Sequence, residues 1–574
     1  MRTDAEDMED TPMPLKPIFD KAPLTTMNAQ PLRAGLVRME STAMSKLYQL
    51  TAMTNNPAAF EGTFRLACIV SSKPTEEPVV AKIRAMLTSQ KEDGSFMLSF
   101  KDSVAVLRAA WALYELEARK PLLEHIAKWC AFAVQHWDEL MTDDDIWACS
   151  ADLMELLENL YRVTGKSAVL TLCDRVAAHT MSWSGVLNTI NSQRPTSKTV
   201  SKKELEEGLA KECGSREGYY TYFSRVNHAE SLADGARSTM MKGWFSGSLT
   251  ELNATRNGWE RLYRHHGAVC GGLTSDEMLE GTSPAEAVST AALGAWVEAL
   301  CAAAMNDRSE WAYEALERMA YNAMPACMNG DKLLAFQRVN TLVSEVDEDA
   351  CFSLSEDHAE RAVMRMVRGY AAIASVAVAA QQEGASINLY LPGRYAVPVK
   401  EEMLILTVKP SANGVSIAVH CKSEIEATVR LRIPAWSKNT EITVNGNDNH
   451  GEVKNGYMTF DRTWHDGDII VLTYEQSVNV LTGHHQGKYV LRGPVVMALS
   501  VEENNWKKAF VSARKDTEGV DAILDHVNEW KHKSGVPADV PVLPETDGNV
   551  SEYLLVPYAK ADKRIALFPG RKQE

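Results

Sequence analysis

No two of the ten cysteines in this 574-residue chain are adjacent or spaced as Cys-x-x-Cys; they stand singly at 68, 130, 149, 173, 213, 270, 301, 327, 351 and 421. Zinc ribbons and disulfide frameworks need paired spacing, so neither is expected, and reduced thiols in a cytoplasmic protein are. Long apolar runs are missing as well. The longest, Ala371–Ala380, is about half of the roughly 20 residues that cross a bilayer, which excludes a membrane-spanning helix. Residues 1–31 form an acidic arm opening on MRTDAEDMED, without the apolar core of a secretory signal. Positive charge is scarce: 60 basic against 76 acidic residues leave a formal net charge of −16. A surface tracking nucleic-acid phosphates has no support from that balance. Phosphate-cradling glycine loops, nucleophile elbows and dinucleotide fingerprints are likewise absent.

What the chain does have is a change of hydrophobic period. From about Leu32 to Ala380 apolar residues recur at helical spacing, as in Val104, Leu107, Trp111, Tyr114 and Ala118, in Leu153, Leu156, Leu157 and Leu160, and in Val363, Met366, Val367, Tyr370 and Ile373. Residues 32–384 therefore read as one all-helical domain that closes into a barrel. The polar stretch Asn191–Glu207 interrupts it as an exposed loop. After Gly384 the period becomes two, in MLILTV (Met403–Val408), VSIAVH (Val415–His420) and ATVRLRI (Ala427–Ile433). In the last of these Val429, Leu431 and Ile433 are expected to face a core, with Thr428, Arg430 and Arg432 outward. Asn445-Gly446, Asn455-Gly456 and Asp466-Gly467 mark turns, so residues 385–500 read as an antiparallel β-sandwich. Residues 501–574 either complete that sandwich or wrap back on the helices.

Several separated segments resemble one family. They are LYRVTGK (Leu160–Lys166), VNHAESLADG (Val226–Gly235), RHHGAVCGGLTSDEMLEGTSP (Arg264–Pro284) and LERMAYNAMPA (Leu316–Ala326), followed by INLYLP, LRIPAW, VNG, TWHDGD and LRGPVVMAL between Ile387 and Leu499. Together, and in this order, they resemble the β-L-arabinofuranosidase family, glycoside hydrolase family 127, along most of the chain. The resemblance implies an (α/α)6 barrel followed by an antiparallel β-sandwich, and a carbohydrate ligand. In active members it also implies a zinc ion held by one glutamate and three cysteines, one of whose thiolates is the nucleophile, with a separate glutamate as acid/base.

Carried over position by position, the acid/base falls on Glu277. Beside Asp276, its ionisation would be disfavoured by a like charge; the competing reading has Asp276 and Glu277 opening the next helix as caps. The metal positions do not carry over. Without a gap the glutamate and cysteine become Ser289 and Ala291; with a three-residue gap they become Glu286 and Val288. The cysteine pair becomes Leu354 and Ser355, with Cys351 three residues off. No zinc and no other cofactor is expected. The segment Glu61–Val70 lacks the family's paired histidines, whereas His228 and His266 match positions that could line a cleft, so His228, His266, Asp276 and Glu286 are the candidate substrate contacts. The acidic run before Trp147 (Thr142–Trp147) reads as a helix start, His484 and His485 as a sandwich loop, and Trp436 and Trp464 as packing residues. The expectation is a divergent glycoside-hydrolase-family protein with a carbohydrate cleft and a lost zinc–thiolate mechanism. Two alternatives stay open: a glycosidase using Glu277 with Glu286, Glu356 or Asp357 as the second carboxylate, and a non-catalytic structural or interaction protein. Whether the chain is an enzyme, and whether it forms a homo-oligomer, is left undecided by its residues.

Overall fold

The computed structural model describes residues 37–39, 41–71, 73–140, 144–148, 150–212, 218–307, 310–340, 357–381, 383–399, 402–411, 413–448, 453–476, 478–483, 487–500, 542–543, 553–561 and 564–567. Cys351, Leu354, Ser355, Glu356, His484 and His485 lie outside the described residues, as does the start of the 142–147 run.

Six helices form a closed ring: α1 (Pro57–Val70), α2 (Phe100–Glu117), α3 (Ala151–Thr164), α4 (Ala229–Ser246), α5 (Thr290–Asp307) and α6 (His358–Ala377). Each packs on the next, and α6 returns to α1. Other helices flank the ring, including Lys120–Gln135 against α2, Ser167–His179 against α3 and Leu249–His266 against α4. This is the inner and outer layering of an (α/α)6 barrel. The periodic stripes are what the ring buries: Leu153, Leu156, Leu157 and Leu160 on α3, and Met366, Val367, Tyr370 and Ile373 on α6. Several inner helices begin on a residue whose side chain accepts a backbone N–H: Asn56 for α1, Ser99 for α2 and His228 for α4. The helical period stops slightly before the sequence suggests. Helix α6 ends at Ala377, and Val378–Gln381 is already a strand. A short ladder, Ala287–Ser289 with Phe336–Arg338, also interrupts the helical domain.

The sandwich is built from two sheets. One runs in the order 37–38, 393–399, 402–411, 414–420, 469–476, 437–444 and 447–448; the other runs 453–454, 457–464, 425–432, 384–387 and 378–381. Pairing is antiparallel except between Gly384–Ile387 and Ile425–Arg432. The Asn445-Gly446 and Asn455-Gly456 steps have positive φ at both residues, as two-residue hairpin turns require. Val429 and Leu431 are buried as the alternation predicts.

Arg432 is not outward: it is 1% exposed. The opposite face of its strand is covered by the barrel, where Glu317 of the Glu310–Arg318 helix accepts from Arg432 Nη2 at 2.6 Å and from Trp436 Nε1 at 2.8 Å. Trp464 is fully buried, with its Nε1 donating to Ala427 O. Beyond the sandwich a third sheet joins 478–482, 488–492, 495–500 and 553–557. Asn340 of the barrel region bonds Ala566 and Leu567. The described part of the last 74 residues thus both extends a sheet and touches the helical domain.

Candidate functional site

A cavity of about 520 Å³ opens where α1, α2, α3, α4 and α6 all present their N-terminal ends. Helix N-termini carry unsatisfied N–H groups and partial positive charge, which favours carboxylates in the first turns. Asp152 on α3, Glu230 on α4 and Glu360 on α6 occupy such positions. Among the described residues the lining is balanced in charge: Lys101, Arg225, Arg361, Arg365 and Arg368 oppose Asp152, Glu230, Asp234, Asp357 and Glu360, with Phe100 and Asn56 at the wall.

The balance comes from α6. Arg361, Arg365 and Arg368 are spaced four and three residues apart and share one helix face. Arg361 Nε meets Glu230 at 2.8 Å; Arg365 meets Glu230 at 2.9 Å and Asp234 at 2.6 Å; Arg368 meets Asp152 at 2.6 Å and Glu298 at 2.8 Å. Deeper in the ring Arg237 and Arg108 extend the web to Glu155 and Glu61. Burial alone would push these carboxyls up, but the guanidiniums outweigh it. Arg361 and Arg365 hold Glu230 down to about 2, Arg108 and Arg237 hold Glu155 at about 2, and Arg108, Arg368 and Arg237 hold Asp152 well below its usual range.

Glu277 stands behind this wall. Its carbonyl accepts from Ala229 N at 2.8 Å, Leu279 N bonds Asn227 O at 2.8 Å, and Met278 bridges His228, so the loop 274–280 is laced to the start of α4. Glu277 is 4% exposed and has φ of 107°, a region that non-glycine residues rarely adopt. Its carboxylate faces two side chains of α6, His358 Nδ1 at 3.6 Å and the Arg361 guanidinium Nη1 at 3.7 Å. The capping reading of Asp276 and Glu277 does not hold, because the next helix begins at Thr290 and Ser289 Oγ accepts from Ala292 N.

His228 is half-buried beside Glu277. Its Nδ1 accepts from Ser231 N at 3.3 Å and its Nε2 lies 3.5 Å from Arg361 Nη2. His266 is placed differently. It is fully buried, with Nδ1 on Glu280 O at 2.6 Å and Nε2 on Ser192 O at 2.8 Å, so it ties two loops together instead of facing the cavity. Glu286 is half-buried outside the cavity lining; burial raises its pKa, and its charged neighbours are Arg338 and Lys198.

Burial, with Arg361 adding to it, lowers the His228 imidazole from 6.5 to about 4. Folding therefore favours the neutral ring. The stability it contributes is complete above about pH 6.5 and is lost as pH falls towards 4. His228→Asn keeps a capping oxygen but cannot titrate in this range. Unfolding free energies of wild type and variant from urea titrations are expected to keep a constant difference above pH 7 and to converge or cross by about 1–3 kcal/mol between pH 6.5 and 4. A difference that is flat with pH would contradict the assignment.

Residues 384–476, the greater part of the sandwich, match the sequence profile of "Beta-L-arabinofuranosidase, GH127 middle domain". In that segment the chain is similar to glycoside hydrolase family 127. Three solved structures share its fold over nearly the whole chain. A GH127 β-L-arabinofuranosidase from Geobacillus stearothermophilus T6 is 16% identical with TM-score 0.57, covering 91% of this chain and 89% of that one. A structure described as a glycoside hydrolase is 14% identical with TM-score 0.64, covering 92% and 94%. A GH127 β-arabinofuranosidase is 13% identical with TM-score 0.51, covering 94% and 98%. No curated protein sequence matches the chain at a significant level.

The described positions that carry over from the zinc site of family 127 offer no set of zinc ligands. Ser289, 3% exposed, spends its hydroxyl on capping α5; Ala291 and Val288 are buried and offer no donor atom. Around Glu277 the second and third groups are an imidazole and a guanidinium, and a guanidinium cannot ligate a cation. Among the described residues no three His, Cys, Asp or Glu side chains converge as a metal site. These residues do not fit zinc.

The feature that sequence reasoning missed is the arginine face of α6. Its signal was present: arginines at 361, 365 and 368 along one helix, matched by Glu230 and Asp234 four apart on α4. Glu280 was missed too. Burial raises it to about 7 against the hydrogen bonds from Ser197, with Asp276 adding to the rise, and Ser197 Oγ donates to it at 2.7 Å.

Proposed function

We propose that this protein binds a neutral carbohydrate in the cavity at the mouth of its helical barrel and does not hydrolyse it by the zinc–thiolate route of family 127. The observation that carries this reading is the pairing of the cavity carboxylates. A glycosidase needs a proton donor of raised pKa and a second carboxylate free to act as base or nucleophile. Here Glu230 and Asp152 are both held low by buried arginines, while the raised carboxyl nearby, Glu280, is absent from the lining. A charge-balanced wall of donors and acceptors with Phe100 beside it suits hydroxyl groups and a sugar face. The arabinofuranosidases that share this fold make a β-L-arabinofuranoside the first ligand to try.

One observation favours catalysis instead. A buried glutamate at φ 107° is strained, and such strain collects at functional sites. Aryl glycosides, β-L-arabinofuranoside among them, separate the readings when assayed with and without added zinc. Binding of L-arabinofuranosides that Phe100→Ala weakens at least tenfold, with no turnover above the blank, is the expected result. Turnover abolished by Glu277→Gln would overturn it and make Glu277 the acid of a working hydrolase.

A further inference from the structure

We propose a second carbohydrate site in a groove formed by the Tyr219–Asn227 helix, the end of the Trp183–Thr189 helix and the segment 190–199. The groove has a volume of about 480 Å³, within the range of small-ligand sites. Among the described residues no carboxylate lines it. Its polar atoms come from Asn191, Ser192, Gln193, Asn227 and Arg194, and Tyr222, 45% exposed, forms one side.

Each sugar hydroxyl both donates and accepts, so neutral amides suit it better than charges of one sign. Gln193 Nε2 donates to Asn191 Oδ1 at 2.8 Å. An amide pair joined in this way leaves one carbonyl oxygen and one NH₂ for a ligand, whichever way the two amides are flipped. Arg194 makes no ion pair among the described residues and adds further donors. Tyr222 supplies an aromatic face of the kind on which a pyranose or furanose ring packs. An apolar protein segment would strand these amides without partners, which argues against it as occupant.

The walls are built, not incidental. The Glu212 carboxylate accepts from Tyr220 N at 2.7 Å and Thr221 N at 3.0 Å, fixing the first turn of the helix that carries Tyr222. Tyr220 packs flat on Gly208, where a Cβ would lie 2.4 Å from the ring. On the other side His266 Nε2 lies 2.8 Å from Ser192 O, and Thr196 bonds Leu279 O through both its N–H and its hydroxyl at 2.8 Å. Rigid walls lower the ordering cost of binding. Both walls are also tied to the 274–280 loop that holds Glu277, so the groove is continuous with the rest of the fold.

Hydrogen–deuterium exchange of the full chain with arabinotetraose, xylotetraose and cellotetraose tests the site. Peptides over 186–199 and 219–227 are expected to gain protection with at least one of these sugars. Tyr222→Ala and the Asn191→Ala/Gln193→Ala pair should each remove it while protection of 357–368, over the cavity, persists. Absence of protection in the groove with all three sugars overturns the proposal whatever the cavity does, and so does protection that survives both variants. Loss of protection at 357–368 alone would count against the cavity reading and leave the groove standing.

Discussion

Arg237→Leu is expected to cost on the order of 3–5 kcal/mol, the range for breaking a buried ion pair from one side. The side chain is 2% exposed, and its Nη2 bonds Asp152 and Glu155 at 2.7 Å each. Glu298 and Asp234 lie within 3.6 and 3.9 Å. Leucine fills much of the space but returns none of the charge, so carboxylates from three helices would lose a shared cation inside the ring. Against a total stability of about 5–15 kcal/mol, that loss should lower the urea midpoint sharply and reduce soluble yield. Adding Glu155→Leu removes one stranded charge, and the double variant is expected to be more stable than Arg237→Leu alone. A double variant less stable than the single would show that Glu155 draws its support from elsewhere.

Glu317→Ala is expected to be comparably damaging, at about 3–5 kcal/mol, but to act at the junction of the two domains. Glu317 is the acceptor for both Arg432 Nη2 and Trp436 Nε1, and Arg432 is 1% exposed. Removing the carboxylate strands a guanidinium whose remaining bond is Nε to Asn388 O at 2.6 Å. Glutamine keeps an acceptor for Trp436 without the charge, so Glu317→Gln should fall between wild type and alanine. Calorimetry is the readout. The melting of the sandwich should move down towards, or separate from, that of the barrel in the alanine variant, and an unchanged thermogram would refute the account.

These two residues also mark where the amino-acid order was informative and where it was not. Period distinguishes helix from strand, so the Leu153–Leu160 stripe and the alternation at Val429 and Leu431 were legible. Period cannot say that a second domain covers the other face of a strand, and Arg432 was misread for that reason. Similarly, Glu277 could be located by its motif, while its surroundings could not: Arg361 and His358 reach it from a helix more than 80 positions later. The helix-capping reading of Asp276 and Glu277 failed because the loop runs on as a bridge to Val288 before α5 begins. His266 looked like a cleft residue because motifs record identity, not burial.

The arginine face of α6 has a consequence for how the chain is made. Of the inner helices α6 is the last to leave the ribosome, yet it supplies the cations that answer Asp152, Glu230, Asp234 and Glu298. Until it emerges, Glu230 lacks its arginine partners, and Asp152, Asp234 and Glu298 share only Arg237 and Arg108 on helices already synthesised, so an excess of negative charge opposes early collapse. Closure then depends on contacts spanning some 130 to 220 positions, a slow topology. The charge balance of the ring is thus completed only when α6 packs, after most of the barrel's own length has been translated.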